Sequence, residues 1–159
     1  MNSAQNKAFC SGSFVKGFCS YSKRPKKARR EDEGVSMDFE PVSKKIIGAA
    51  IEVHKHLGPG LLESAFEECL SYELTINGLF IKRQKPVPVV YKEVKLDCGY
   101  RIDILVNDEI IIEIKSVDVM HPVHEAQILT YMKFAQKKIG LLINFNVTIL
   151  KNGLKRYVM

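Results

Sequence analysis

The chain has 159 residues, 46% of them hydrophobic and 26% charged, the size and balance of one globular domain, which excludes a multi-domain machine. Its uninterrupted apolar runs, such as Ile110 to Ile112, fall far short of the ~20 residues of a membrane-spanning helix, so no membrane association is expected. Four widely spaced cysteines without a CxxC pair exclude a disulfide scaffold and a zinc ribbon, and a reducing, cytoplasmic setting fits them.

The net charge of +6 is unevenly spread. Residues 1–30 hold eight of the 24 bases (Lys7, Lys16, Lys23, Arg24, Lys26, Lys27, Arg29, Arg30) and no acid, which leaves 16 bases against 18 acids in residues 31–159. The excess positive charge thus lies in a Ser-, Gly- and Lys-rich stretch with no helical or strand period. Residues 1–36 are expected to be a disordered basic arm, ahead of one domain over 37–159. The run Lys23 to Arg30 has the density of a nuclear-import tag or a phosphate-binding tail, beside the plainer reading of a solvated extension. In a eukaryote the first reading would send the protein to the nucleus. No apolar stretch of secretory-signal length follows the early charges.

From Val42 the pattern changes. Ile46, Ile47, Ala50, Ile51, His54 and Leu57 recur at three- and four-residue spacing, which predicts a helix that stops at Gly58-Pro59-Gly60. A second helix follows, with Leu62, Phe66, Cys69, Leu70 and Leu74 as its apolar face and Asn77-Gly78 as its stop. β-Branched and aromatic residues then predict strands over Leu79–Gln84, Val87–Tyr91, Tyr100–Val106 and Ile110–Lys115, the last two joined tightly through Asn107-Asp108-Glu109. A helix is predicted over Pro122–Ala135 with proline in its first turn, then a strand over Ile139–Asn144 and a last hairpin about Asn152-Gly153. The order predicts an α/β (α+β) domain, a sheet flanked by helices with two helices ahead of it. Cys69 and Cys98 read as small buried residues.

The Asn107–Glu109 hairpin carries the chemistry. Alternation puts Ile102, Ile104, Val106, Ile110, Ile112 and Ile114 on one face, and Arg101, Asp103, Leu105, Ile111, Glu113 and Lys115 on the other. A three-residue loop would pair Val106 with Ile110 and set Asp103 across from Glu113; a two-residue loop would break that match. Like charges side by side raise each other's pKa unless a cation neutralises them, and all-oxygen ligation suits a hard ion such as Mg2+ or Mn2+. The competing reading is an edge-strand pair facing water, balanced by Arg101 and Lys115. Among the histidines, His54 and His124 could each fringe such a site or be hydrogen-bonded structural residues.

Asp103 followed by Glu113-Ile114-Lys115 resembles the D…ExK core of the PD-(D/E)XK nuclease superfamily, and Gln127 to Tyr131 resembles the QxxxY motif of its RecB-type and lambda-exonuclease-like members. Gly58 to Phe66, Leu96 to Asp103, Pro122 to Gln127 and Leu141 to Asn146 are together similar to the GxxExxY family placed in that superfamily, with Phe66 where the motif has tyrosine. The resemblance implies a restriction-endonuclease-like mixed sheet and a Mg2+- or Mn2+-dependent nuclease. Asp103, Glu113, the Ile114 carbonyl and Glu63 would surround the ion, Lys115 would hold or deprotonate the attacking water, and Gln127 and Tyr131 would orient Lys115 or a phosphate. No C-terminal cysteine cluster is present, so no iron–sulfur cluster is expected. Nucleic acid, DNA before RNA, is the implied partner, gripped by Lys82, Arg83, Lys85, Lys92, Lys95 and His124 or by the basic arm; homo-oligomerisation stays open. The alternatives are a catalytically silent nuclease-like scaffold that binds nucleic acid or a protein partner, and a small-molecule or nucleotide phosphoesterase using the same site.

Overall fold

The computed structural model describes residues 39–97 and 99–159; the expectations for the arm over 1–36 and for Cys98 fall outside them. Helices α1 (Phe39–Leu57) and α2 (Glu63–Ile76) come first, then strands β1 (Ile81–Pro86), β2 (Val89–Tyr91), β3 (Val94–Leu96), β4 (Arg101–Val106) and β5 (Ile110–Lys115). Helix α3 (Pro122–Ala135), strand β6 (Ile139–Asn144), a 3-10 turn (Leu150–Gly153) and strand β7 (Leu154–Val158) complete the order. The main sheet runs β1-β4-β5-β6-β7, and β2 pairs only with β3. All its pairings are antiparallel except β5 with β6, where α3 supplies the crossover that parallel neighbours require.

Two apolar layers hold this sheet. On one face Ile104, Val106, Ile110, Ile112, Ile114, Leu141 and Ile143 pack with Ile46, Ala49, Ala50 and Val53 of α1 and Phe66, Leu70 and Leu74 of α2. On the other, Leu105, Ile111 and Leu142 meet Ile128, Tyr131 and Met132 of α3. Central strands β5 and β6 are buried along their whole length, which explains their nearly continuous apolar sequence. Helix α3 lies so close to β6 that a Cβ on Gly140 would stand 2.6 Å from Met132 Sδ.

The strands Ile110–Lys115 and Ile139–Asn144 and the helix Pro122–Ala135 fall where the pattern puts them. Elsewhere the structure corrects the reading. The inner stripe of α1 is Ile46, Ala49, Ala50 and Val53, while Ile51 and Leu57 are exposed. Leu62 precedes α2 as its extended N-cap and is exposed. Ile102 packs with Leu105 and Ile111, not with Ile104, so alternation along β4 breaks at Asp103, and across from it on β1 Gln84, between the rungs Arg83–Ile104 and Lys85–Ile102, takes a left-handed φ of 48°. The last hairpin forms, but not as a tight turn on Asn152-Gly153: β6 and β7 pair antiparallel from Ile143–Leu154 onward across the wider connection 145–153, in which Asn152-Gly153 closes a 3-10 turn packed so near Asn144 that a Cβ on Gly153 would lie 2.2 Å from its carbonyl oxygen.

Candidate active site

The loop Asn107-Asp108-Glu109 sets the register. Asn107 and Asp108 both take left-handed φ, which these two residue types tolerate, and Asn107 is fixed by its N–H to Phe80 O at 2.8 Å and by its side-chain oxygen, which accepts the Phe80 N–H at 3.1 Å. Val106 therefore pairs with Ile110, Leu105 with Ile111 and Ile104 with Ile112, the three-residue-loop register, and the ladder stops one residue short of Asp103. At that point a side chain replaces the ladder: Asp103 Oδ2 accepts the Ile114 N–H at 2.8 Å.

Glu113 and Lys115 follow on the α3 face of β5, only 1% and 8% exposed, so the water-facing edge pair is overturned. Lys115 Nζ donates to Glu113 Oε1 at 2.7 Å, while Glu113 Oε2 is buried without any hydrogen-bond partner. A buried carboxylate oxygen left unpaired is costly. Burial, and then the charge of Asp103, pushes Glu113 up to about 7. Burial also raises Asp103, against the Ile114 N–H and Lys115, with the Glu67 and Glu63 carboxylates adding to the rise. For Lys115, burial works to lower the pKa, but Glu113, Glu63 and Asp103 outweigh it and hold the ammonium above its usual range. These three carboxylates thus favour the charged form of Lys115.

Glu63 opens α2, as a first-turn acid suits the helix dipole. Its Oε1 accepts the N–H of Ser116 at 3.0 Å, and Ser116 Oγ donates to Leu61 O at 2.6 Å, so the start of α2 is tied to the residue after Lys115. From α3, the Gln127 amide donates to the Tyr131 hydroxyl at 2.8 Å, and no bond from Gln127 to Lys115 is formed. Burial, offset in part by Gln127, raises the Tyr131 phenol, with Glu113 adding to the rise. Tyr131 therefore shares the acids' environment and Gln127 reaches it through that phenol.

Other expected residues are spent elsewhere. His54 bonds the Val147 carbonyl through Nε2 at 2.7 Å, the structural alternative for it. His124 is half-buried at the start of α3, its ring 6.1 Å from that of His121. Of the basic set, Arg83 pairs with Glu67 at 2.9 Å and with Glu68, Lys82 holds Asp108 at 2.7 Å, and Lys85 stands 3.9 Å from the same carboxylate. Lys92 lies over the Tyr91 ring at 5.4 Å, and Lys95 is exposed on β3. Phe66 is fully buried, stacked on Phe145 at 4.4 Å, so the position of the GxxExxY tyrosine is part of the core.

Two residues were missed. Glu67, one turn after Glu63, is buried, pairs with Arg83 and Gln84, and acts on Asp103; its i+4 spacing from Glu63 was the available signal. Asn144, beside Lys115 in the parallel register, accepts the Val117 and Asn146 N–H groups and donates to Val117 O, pinning the chain after Lys115. No local pattern announces it, because β6 is distant in sequence. A cavity of about 520 Å3 between α1 and α2 is lined by Glu52, Val53, Leu57, Cys69 and Tyr72 among others, but by none of these acids.

Among the described residues no three His, Cys, Asp or Glu side chains form a ready-made metal cage. The donor set nevertheless fits one hard divalent ion, since Glu113 Oε2 is a buried acceptor lacking a partner beside a second carboxylate, and Mg2+ commonly binds through one or two carboxylates while keeping several waters. A family model, the PD-(D/E)XK nuclease superfamily, matches residues 40–157. The chain belongs to this superfamily, and its three helices around a mixed five-stranded sheet are consistent with the restriction-endonuclease-like fold. Comparison with curated proteins and with solved structures gave no match. Among the described residues no helix is long and apolar enough to cross a membrane.

Proposed function

We propose that this member of the PD-(D/E)XK nuclease superfamily, read as one of its GxxExxY branch, is a Mg2+- or Mn2+-dependent nuclease that hydrolyses phosphodiester bonds of nucleic acid, DNA in preference to RNA. The observation that carries the proposal is the buried, unpartnered Glu113 Oε2 beside Asp103 and Lys115. A group this costly to bury is accounted for by a ligand that satisfies it. Asp103, Glu113 and the Ile114 carbonyl are the proposed ligands, with Glu63 acting directly or through water.

Held by these residues, a divalent ion would supply charge to offset the repulsion between the carboxylates and a phosphodiester and would make the attacking water more acidic. The chain's own residues do the rest. Asp103, anchored on the Ile114 N–H, keeps its carboxylate aimed between β4 and β5. Lys115 carries the cation that meets the charge developing on the phosphorus-bound oxygens and holds the water by hydrogen bonding. Tyr131, fixed by Gln127, lines the approach. With Arg83 and Lys82 engaged by acids, the phosphate contacts fall to Lys92, Lys95 and His124.

The catalytically silent scaffold is the second reading, and the acid-paired bases of β1 favour it, since they leave no broad basic groove there. Thermal melts with Mn2+ and a cleavage panel of single-stranded, double-stranded and branched DNA and RNA separate the two. The nuclease reading requires Mn2+ to raise the melting temperature of wild type and not of Asp103→Ala. It also requires cleavage that Lys115→Ala abolishes while retaining the metal response. Wild type that cuts nothing, and matches Lys115→Ala throughout, leaves the scaffold.

A further inference from the structure

The ribbon formed by β2 and β3 is the one piece of the described fold outside the main sheet and its layers. Val89 pairs with Leu96, Val90 with Lys95 and Tyr91 with Val94, so alternation collects Val89, Tyr91, Val94 and Leu96 on one face. That face is wholly apolar, and beyond the half-buried Val89 it is open: Tyr91 is 62%, Val94 56% and Leu96 42% exposed. A two-stranded ribbon is marginal alone, and this one turns through Lys92 at a left-handed φ of 54°, where glycine would be easier. An uncovered aromatic and aliphatic face on such an element is not explained by folding.

Its placement is informative. The ribbon, whose base rung is Val89–Leu96, is connected to the main sheet at the rung Pro86–Arg101, and Asp103 lies two residues beyond Arg101 along β4, about 7 Å from that rung at strand rise. At its base Tyr100, 47% exposed, accepts the Val87 N–H on its carbonyl and tilts its ring against Tyr131 at 6.1 Å. The charged groups of the segment are Lys92, Lys95 and Arg101 against Glu93 and Asp97, a small excess of positive charge, and the exposed Asp97 accepts the Gly99 N–H. Aromatic faces interleaved with lysine and arginine beside a phosphate-directed site suit a polyanion whose bases are unpaired. Four apolar side chains fall far below the ~20–30 residues a side of a stable protein interface, so a second copy is not held by this face alone.

We infer that the ribbon is a stacking surface for unpaired bases, and that the substrate is a single-stranded nucleic acid or a single-stranded end led along Tyr91 and Tyr100 toward Asp103. This rests on the nuclease reading for the direction of the strand, but not for the binding itself.

The test is fluorescence anisotropy in EDTA with the full chain, using a labelled 12-nucleotide single-stranded DNA, the equivalent RNA and a blunt DNA duplex. Wild type should bind a single strand at least about tenfold tighter than the duplex, the DNA and RNA arms naming the sugar. Tyr91→Ala and Tyr100→Ala should each lose about tenfold on the single strand and little on the duplex, while Tyr91→Trp keeps the affinity. Both tyrosines are substantially exposed, so unchanged melting of the variants separates lost stacking from lost folding. Equal binding of single strand and duplex, absence of single-strand binding, or no effect of either alanine variant overturns the inference. So does a wild-type dimer, seen by sedimentation, that Tyr91→Ala dissociates.

Cleavage with Mn2+ is scored separately. Lys115-dependent cutting that ignores Tyr91 and Tyr100 overturns the ribbon and leaves the nuclease; Tyr91-dependent single-strand binding without cutting overturns the nuclease and supports the ribbon.

Discussion

Replacing Glu113 by glutamine should make the metal-free protein more stable at alkaline pH. The carboxyl is 1% exposed, one oxygen has no partner, and burial with Asp103 places its pKa at about 7 against an ordinary 4.5. Because the folded state holds this proton more tightly than the unfolded chain does, stability is highest below about 4.5 and falls as pH rises to about 7. At ~1.4 kcal/mol per pH unit the gap corresponds to about 3 kcal/mol, or some 6–12 °C in melting temperature for a chain of this size. Groups remote from Glu113 are common to both proteins, so the difference between wild type and Glu113→Gln reports this carboxyl together with Asp103 and Lys115, the groups its charge is coupled to. Urea unfolding in chelator from pH 4.5 to 8.5 should show wild type losing this increment and the variant not losing it. Mn2+ should restore wild type more at pH 8 than at pH 5.5, since the ion needs the carboxylate. Parallel pH profiles for the two proteins would refute the reasoning.

Phe66→Tyr should cost about 1–3 kcal/mol in urea unfolding, because the ring is fully buried on Phe145 and its new hydroxyl enters an apolar layer; unchanged stability with raised cleavage would mean that the phenol reaches the site instead. Gly153→Ala should cost about 3 kcal/mol, since the added Cβ meets the rigid Asn144 carbonyl and not a side chain that can yield, and thermal melting checks it. Removing residues 1–36, whose composition lacks a packing pattern, should leave the melting temperature within a few degrees while flattening the salt dependence of nucleic-acid binding if the eight bases there contribute.

β5 and β6 were legible because they are apolar and buried along nearly their whole length, and α3 because Pro122 stands in its first turn. Sequence left a two- and a three-residue loop open after β4, and the rungs from Val106–Ile110 to Ile104–Ile112 select the latter, whose conformation Asn107 and Asp108 suit. What local pattern could not give is the set of tertiary choices. Burial of Glu113 and Lys115 follows from β5 being central, a property of strand order. The face of α1 that turns inward depends on where α2 and the sheet lie, and so Ala49 and Val53 displace Ile51 and Leu57. The neutralisation of Arg83 and Lys82 comes from α2 and from the β4–β5 loop, each at least 15 residues away. A count of bases along the chain therefore overstates the positive surface available near the site.

Stability and chemistry pull in opposite directions at the end of β5. A sheet selected only to pack would continue the isoleucines through positions 113 and 115, because a buried ion pair often adds nothing over apolar residues of similar volume. Instead the chain buries a carboxylate with an orphaned oxygen, sets a second carboxylate near enough to act on it, and spends Asn144, Ser116 and Glu63 on fixing the backbone that follows. Such local inconsistency inside an otherwise consistent fold is where a functional site is expected, and the proposed nuclease reading accounts for it. The two readings then differ in what Glu113→Leu with Lys115→Met should do. If the site is a scaffold relic, the double variant should gain stability and keep every binding activity of wild type. If the acids hold an ion, it should also gain stability in chelator, yet lose the Mn2+ response and all cleavage together, and only this loss ties the cost of the site to its use.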